Sequence, residues 1–287
     1  MITLKSWPNG QDFCFMNPFI RLYRLINALS IDVALGAVCS AAWFAKGFDV
    51  QLRPYAFLAL GLTVWIIYTA DHLLDARKVA KEASTYRHRF HQQYFKILAV
   101  CLVIAVVIDF GFIFFVRVQI LYAGLALFSI VVLYLLVNRW LSFVKELVIA
   151  IVYCSGVLLP TLSLKSTGLS AGDYLWIVSF FLTALINLMV FSNYDFPSDK
   201  SDGYNSFVRT FGVRLTQQIL SVFFLVQVGL AGMLAVHGFW NEATVLSVMN
   251  ITLFLLFIKP SYFAKADLYR VVGDGVFLFP VVLLLVG

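Results

Sequence analysis

Residues 174–202 read YLWIVSFFLTALINLMVFSNYDFPSDKSD. The first twenty-one carry no charge, and the last eight hold three aspartates, Asp195, Asp199 and Asp202. About 20 predominantly apolar residues suffice to cross a bilayer as a helix. The stretch therefore reads as a membrane span that ends in an acidic cluster. Working outward, eight more apolar blocks have the same character. The nine expected spans cover about 22–45, 54–74, 95–116, 118–137, 146–164, 174–194, 215–237, 243–259 and 270 to the C-terminus. Nine such spans take up most of a 287-residue chain and leave no room for a sizeable soluble domain. The expected fold is all-α, one polytopic transmembrane bundle over residues 1–287.

Composition agrees. The chain is 62% hydrophobic and 13% charged, against about 45–50% and about 25% in soluble domains. Charge this sparse excludes a disordered chain or a nucleic-acid-binding protein, in spite of a net charge of +6. A β-barrel would alternate apolar and polar residues in short segments, whereas these blocks are continuous. The four cysteines, Cys14, Cys39, Cys101 and Cys154, form no CxxC and read as packing residues. The first seventeen residues hold no apolar core of signal-peptide length. No Walker A loop or G-x-G-x-x-G is present.

The basic residues give an orientation. If the nine spans alternate, seventeen of the twenty-one Lys and Arg fall on one face, and only Lys46, Arg53, Arg117 and Lys165 on the other. Positive charge stays inside, so the N-terminus is expected in the cytoplasm and the C-terminus outside. The expected location is the plasma (inner) membrane of a bacterium. The two long, charged connections, after spans 2 and 6, both lie on the cytoplasmic face.

Each of those connections opens on an acidic pair. Asp71-His72-Leu73-Leu74-Asp75 closes span 2, and Asp195-Phe196-Pro197-Ser198-Asp199 closes span 6. Spacing i, i+4 puts two side chains on one helical stripe about 5–6 Å apart at Cβ. Pro197 disfavours helix at Phe196, so the second pair is expected at a helix end or on a short new turn. A single such pair reads as solvated loop carboxylates. Two pairs at equivalent helix ends on one face point to Mg²⁺, which takes oxygen ligands and commonly binds substrate phosphates. Basic residues surround the pairs. Arg24 and Lys145 are the strongest candidates to contact a diphosphate, with Arg77 and Asp202 as lesser ones. His72, His88 and His91 read as loop or interface histidines open to solvent.

These residues resemble a family. Two aspartate-rich motifs at the cytoplasmic ends of the second and sixth of nine spans are similar to those of the UbiA-type intramembrane prenyltransferases. The family's first motif, NDxxDxxxD, keeps its last two aspartates here as Asp71 and Asp75, with Ile67 and Tyr68 replacing the leading Asn-Asp. The second, DxxDxxxD, keeps Asp195 and Asp199, followed by Gly203, Ser206 and Gly212, while Ser192 replaces its first acid. Arg24 and Lys145 match basic positions of the family at the first and fifth spans. The resemblance implies a reaction. Mg²⁺ held by Asp71, Asp75, Asp195 and Asp199 binds the diphosphate of a polyprenyl donor, and an aromatic or lipid-like acceptor is alkylated. Two other readings stay open. Asp32, Asp109 and Asp274 lie within spans 1, 3 and 9, where acids are functional candidates, and they could serve a transporter. The chain could also be a non-catalytic relative of the family.

Overall fold

The computed structural model describes residues 18–78, 82–112, 114–137, 144–203 and 206–286. Every regular element among them is helical. In chain order the α-helices are α1 (Pro18–Ala28), α2 (Ile31–Gly47), α3 (Pro54–Lys78), α4 (Tyr86–Gln93), α5 (Phe95–Phe112), α6 (Val118–Val137) and α7 (Lys145–Leu162). They continue with α8 (Ala171–Asp202), α9 (Phe207–Phe211), α10 (Val213–Val236), α11 (Trp240–Ile258), α12 (Pro260–Phe263), α13 (Leu268–Gly275) and α14 (Val281–Val286).

Seven helical stretches among the described residues are long and apolar enough to cross a membrane. A bent pair, α1 and α2, raises the number to eight. The chain is therefore an integral membrane protein of about seven spans. The apolar part of α6, Val118–Tyr134, falls short of the length the others reach.

Two expectations change. The first span is not one helix: α1 and α2 meet at 76°, with Ser30 in the left-handed region (φ 54°). A break strands backbone carbonyls, and the Leu29 carbonyl accepts from Trp65 Nε1 at 2.9 Å. The last span is also interrupted, by a 3₁₀ turn over Val276–Leu278 after α13, and a left-handed Ala266-Asp267 precedes it. The second acidic pair keeps its expected place at a helix end, where α8 runs through Pro197 to Asp202 and carries both Asp195 and Asp199. Proline forfeits one i→i−4 bond, here close to the end of a 32-residue helix. The Ser198 hydroxyl donates to the Asp195 carbonyl within the same turn.

Helix α8 is the centre of the bundle and the most enclosed of the spans. It packs on α7, α10, α11 and α13, while α2 packs on α3 and α7. Trp43 and Phe44 of α2 meet Trp176 and Phe180 of α8, with the Phe44 and Trp176 rings stacked at 4.3 Å. Gly47 lets this cluster close, since a Cβ there would come within 2.5 Å of the Trp176 ring. Gly47→Ala should therefore destabilise the fold by about 1–3 kcal/mol through overpacking. An unchanged thermal midpoint in detergent would contradict that packing.

Between α8, α10 and α11, Gln227 Nε2 donates to the Ser179 carbonyl and to Thr183 Oγ1, and Asn250 Nδ2 donates to the same hydroxyl. Buried amides in an apolar bundle need such partners. Their effect is to fix the register of α8, and with it the direction in which its acidic end points.

Candidate functional site

Four helices aim one stripe each at a common cavity of about 180 Å³. From α3 come Tyr68, Asp71, His72 and Asp75, spaced i, i+3, i+4, i+7. From α8 come Ala184, Asn187, Leu188, Phe191, Ser192, Asp195 and Asp199. Helix α7 gives Lys145, Glu146, Ile149 and Tyr153, and α13 gives Arg270 and Asp274. Residues three and four apart share a helix face, so these spacings alone explain why each set points one way. Thr85, Arg87 and His88 close the same end from the 82–88 segment.

The two acidic pairs thus line one cavity, and Lys145 stands with them. Lys145 interacts electrostatically with Asp71 and Asp75. Asp195 is already engaged: Arg270 donates to it through a guanidinium nitrogen, and Tyr269 donates through its hydroxyl. The same Tyr269 oxygen accepts from Arg270 Nε at 3.1 Å. Side-chain exposure in the Arg270–Asp195 ion pair is 7% and 13%. Asp199 lies near both Arg270 and Lys145. Glu146 is buried, and its Oε1 accepts from the Phe207 N–H, which ties α7 to α9.

The other candidates lie elsewhere. Arg24 is at a smaller neighbouring pocket, paired with Asp267 at 3.4 Å and set over the Tyr86 ring. Thr85, Arg87 and Arg270 border both pockets. Arg77 is exposed and lies over the Phe95 ring, and it does not line the cavity. Nor does Asp202, which accepts from the Ser84 N–H at 2.9 Å and from its hydroxyl at 2.7 Å. It fastens the end of α8 to the segment before α4. Tyr68, one of the departures from the family motif, lines the cavity, as does Ser192.

The histidines are not solvated. His72, His88 and His91 are all buried, with ring centroids 5.0 Å apart for His72 and His91 and 6.2 Å for His72 and His88. Burial, reinforced by Arg87 and then Arg270, pushes His88 down to about 3. Burial likewise takes His91 down to about 4. Both are neutral at pH 7, so neither is a cation for an anionic ligand. Arg87 is also lowered, by burial first and by Arg270 next.

The acids inside the spans separate. Asn27 Nδ2 donates to Asp32 at 2.6 Å and to Asp274 at 2.9 Å, which bridges the two carboxylates at the break between α1 and α2. Asp109 accepts from Thr63 Oγ1 at 2.7 Å, between α3 and α5. Of the three, only Asp274 lines the cavity.

Charge decides what the cavity can hold. Its lining carries six carboxylates (Asp71, Asp75, Glu146, Asp195, Asp199 and Asp274) against three cations, Arg87, Lys145 and Arg270. A surplus of carboxylates away from bulk water calls for protons or added cations. No three His, Cys, Asp or Glu among the described residues are gathered around a single point as a metal cage. The donor set instead fits an ion such as Mg²⁺, which takes one or two carboxylates and completes its shell with water and substrate phosphate. Asp71, Asp75 and Asp199 are lining carboxylates from which one or two could be drawn on by such an ion, while Asp195 is paired with Arg270. Compared with known proteins, the chain matches no family model and no curated protein.

Proposed function

We propose that this chain is an intramembrane, Mg²⁺-dependent prenyltransferase of the UbiA type, a nine-span bundle of the plasma membrane. Its substrates are a polyprenyl diphosphate and an aromatic or lipid-like acceptor. The observation that carries the reading is the convergence of both acidic pairs on one cavity together with Lys145, Arg87 and Arg270.

The three cations hydrogen-bond the diphosphate oxygens and favour charge that grows on the leaving group. Mg²⁺ held through one or two of Asp71, Asp75 and Asp199 would supply further neutralisation and Lewis acidity. The bond from the prenyl C1 to oxygen breaks, and its electron pair leaves on the diphosphate. The acceptor's electron pair then forms the new bond to C1, and the proton the acceptor loses passes to the departing diphosphate or to water. Tyr68, Tyr153, Phe191 and Phe277 line the cavity. Their π faces suit an allylic cation, and their bulk keeps water from quenching it. A transport role for Asp32, Asp109 and Asp274 draws less support, because Asp109 sits at a separate helix interface.

Metal removal tests the reading through binding alone. Inorganic pyrophosphate brings its own negative charge to a lining that already has three carboxylates in excess. Pyrophosphate is therefore expected to bind the purified protein with Mg²⁺ present and to lose at least about a hundredfold in affinity with EDTA, roughly 2.7 kcal/mol. Equal affinity in both conditions would contradict the proposed metal.

A further inference from the structure

The aromatic rings on the cavity wall stand at two levels. Tyr68 precedes Asp71 by three residues and Phe191 precedes Asp195 by four, so both lie within about one helical turn of the acidic end. Tyr153 lies eight residues beyond Lys145, and Phe277 seven beyond Arg270, each about two turns deeper. These two deeper rings meet, with centroids 5.2 Å apart. Phe180 of α8 completes the contact, 6.3 Å from Tyr153 and 5.9 Å from Phe277. Phe180 is fully buried and does not line the cavity, whereas Ala184, one turn along α8 toward Asp195, does. The cavity therefore ends on three rings, one each from α7, α8 and the 3₁₀ turn after α13.

The rings are backed by packed structure. Phe180 rests on Phe44 at 5.2 Å, and Phe44 stacks on Trp176. Behind Phe277 stands the backbone of α2, since a Cβ on Gly36 would come within 2.8 Å of Phe277 Cβ. Ser40 Oγ of α2 also donates to the Phe277 carbonyl at 3.4 Å. Packing of this kind resists even one additional methylene.

Depth then becomes a length limit. From Lys145 to Tyr153 the cavity runs about 12 Å along α7, and from Asp195 to Ala184 about 16 Å along α8. An isoprene unit adds four bonds of about 1.5 Å to a chain, which is about 5 Å when extended. Three units fit between the acidic end and the rings, and a fourth does not.

We propose that Tyr153, Phe180 and Phe277 form a floor that limits the donor's prenyl chain to fifteen carbons, so that a farnesyl diphosphate is held and a geranylgeranyl diphosphate is excluded. The proposal rests on the prenyl-transfer reading and adds the length of its donor.

The test is equilibrium binding of geranyl, farnesyl and geranylgeranyl thiolodiphosphates, which resist ionisation, to the full-length protein in nanodiscs with Mg²⁺. The parent is expected to bind the farnesyl probe at least tenfold more tightly than the geranylgeranyl probe. Phe180→Ala opens the floor and should bring those two within threefold of each other. Ala184→Phe raises the floor and should weaken the farnesyl probe at least fivefold while the geranyl probe stays within twofold. The two variants move the limit in opposite directions, so a general loss of fold cannot mimic both. Pyrophosphate binding on the same samples reports whether each variant keeps the acidic end. A parent that binds pyrophosphate and all three chains alike sinks the floor alone, and so does an unchanged preference in both variants. A parent that binds neither pyrophosphate nor any chain sinks the prenyl-transfer reading and the floor with it.

Discussion

Arg270→Met is expected to destabilise the protein by about 3–5 kcal/mol, the range for removing one partner of a buried ion pair. Arg270 is 6% exposed and donates to both Asp195 and the Tyr269 oxygen. Without it Asp195 becomes a buried carboxylate with only a phenol for support. The remaining charge, rather than the lost bond, carries most of the effect, so a second variant checks the cause. Asp195→Asn combined with Arg270→Met removes both charges and should recover most of the loss, since well-packed neutral replacements for buried pairs are often tolerated. Thermal and denaturant midpoints in detergent measure both. A single variant as stable as the parent, or a double variant less stable than the single, would show that Asp195 does not depend on Arg270.

Asp71→Asn carries the other large effect. Asparagine keeps the shape and one oxygen but removes the charge and most of the metal affinity. Loss of a group that stabilises charge on a leaving oxygen typically slows a reaction about 10²–10³-fold. Diphosphate release from a polyprenyl diphosphate is expected to fall at least about a hundredfold, and extra Mg²⁺ should restore part of it. Arg77→Ala is the matched control. Arg77 also belongs to the charged end of α3, yet it is exposed over Phe95 and off the cavity. Its rate should stay within about twofold of the parent, the usual outcome for a surface residue away from the chemistry. A similar loss in both variants would mean that the charge of this face matters and the cavity does not.

Much of this arrangement was legible in the sequence because sparse charges in an apolar chain mark their own places. The two i, i+4 aspartate pairs are such marks, and helical periodicity alone predicts that each pair shares a stripe. What the sequence could not show was which stripe faces which partner. Arg270 looks like one more positive-inside residue, and only the packing of α13 on α8 turns it toward Asp195. Asn187 sits in an apolar run with nothing to distinguish it. Arg24 opens the first span and Asp202 follows the second acidic pair in sequence, yet Asp267 and Ser84 claim them.

The breaks were hidden for a related reason. Leu29-Ser30 carries neither Pro nor Gly, so no local signal announces a 76° bend. Tertiary partners stabilise it, with Trp65 on the Leu29 carbonyl and Asn27 between Asp32 and Asp274. At Pro197 the local signal was present, and the second acidic pair does lie at a helix end, although α8 passes the proline and stops at Asp202. The histidines misled because a polar, charged segment suggests exposure, and α4 instead folds back to bury His88 and His91 near the acidic pairs.

The most direct test of the central claim is release of inorganic diphosphate from farnesyl diphosphate. The purified parent protein would be reconstituted in bilayers made from a lipid extract of the cells that express it, so that a native acceptor is present. Mg²⁺-dependent release above protein-free bilayers, with the prenyl group recovered on an acceptor, is the predicted result. Tight Mg²⁺-dependent binding of farnesyl diphosphate with no release and no prenylated product would contradict it, and would leave the chain a prenyl-diphosphate-binding protein rather than a transferase.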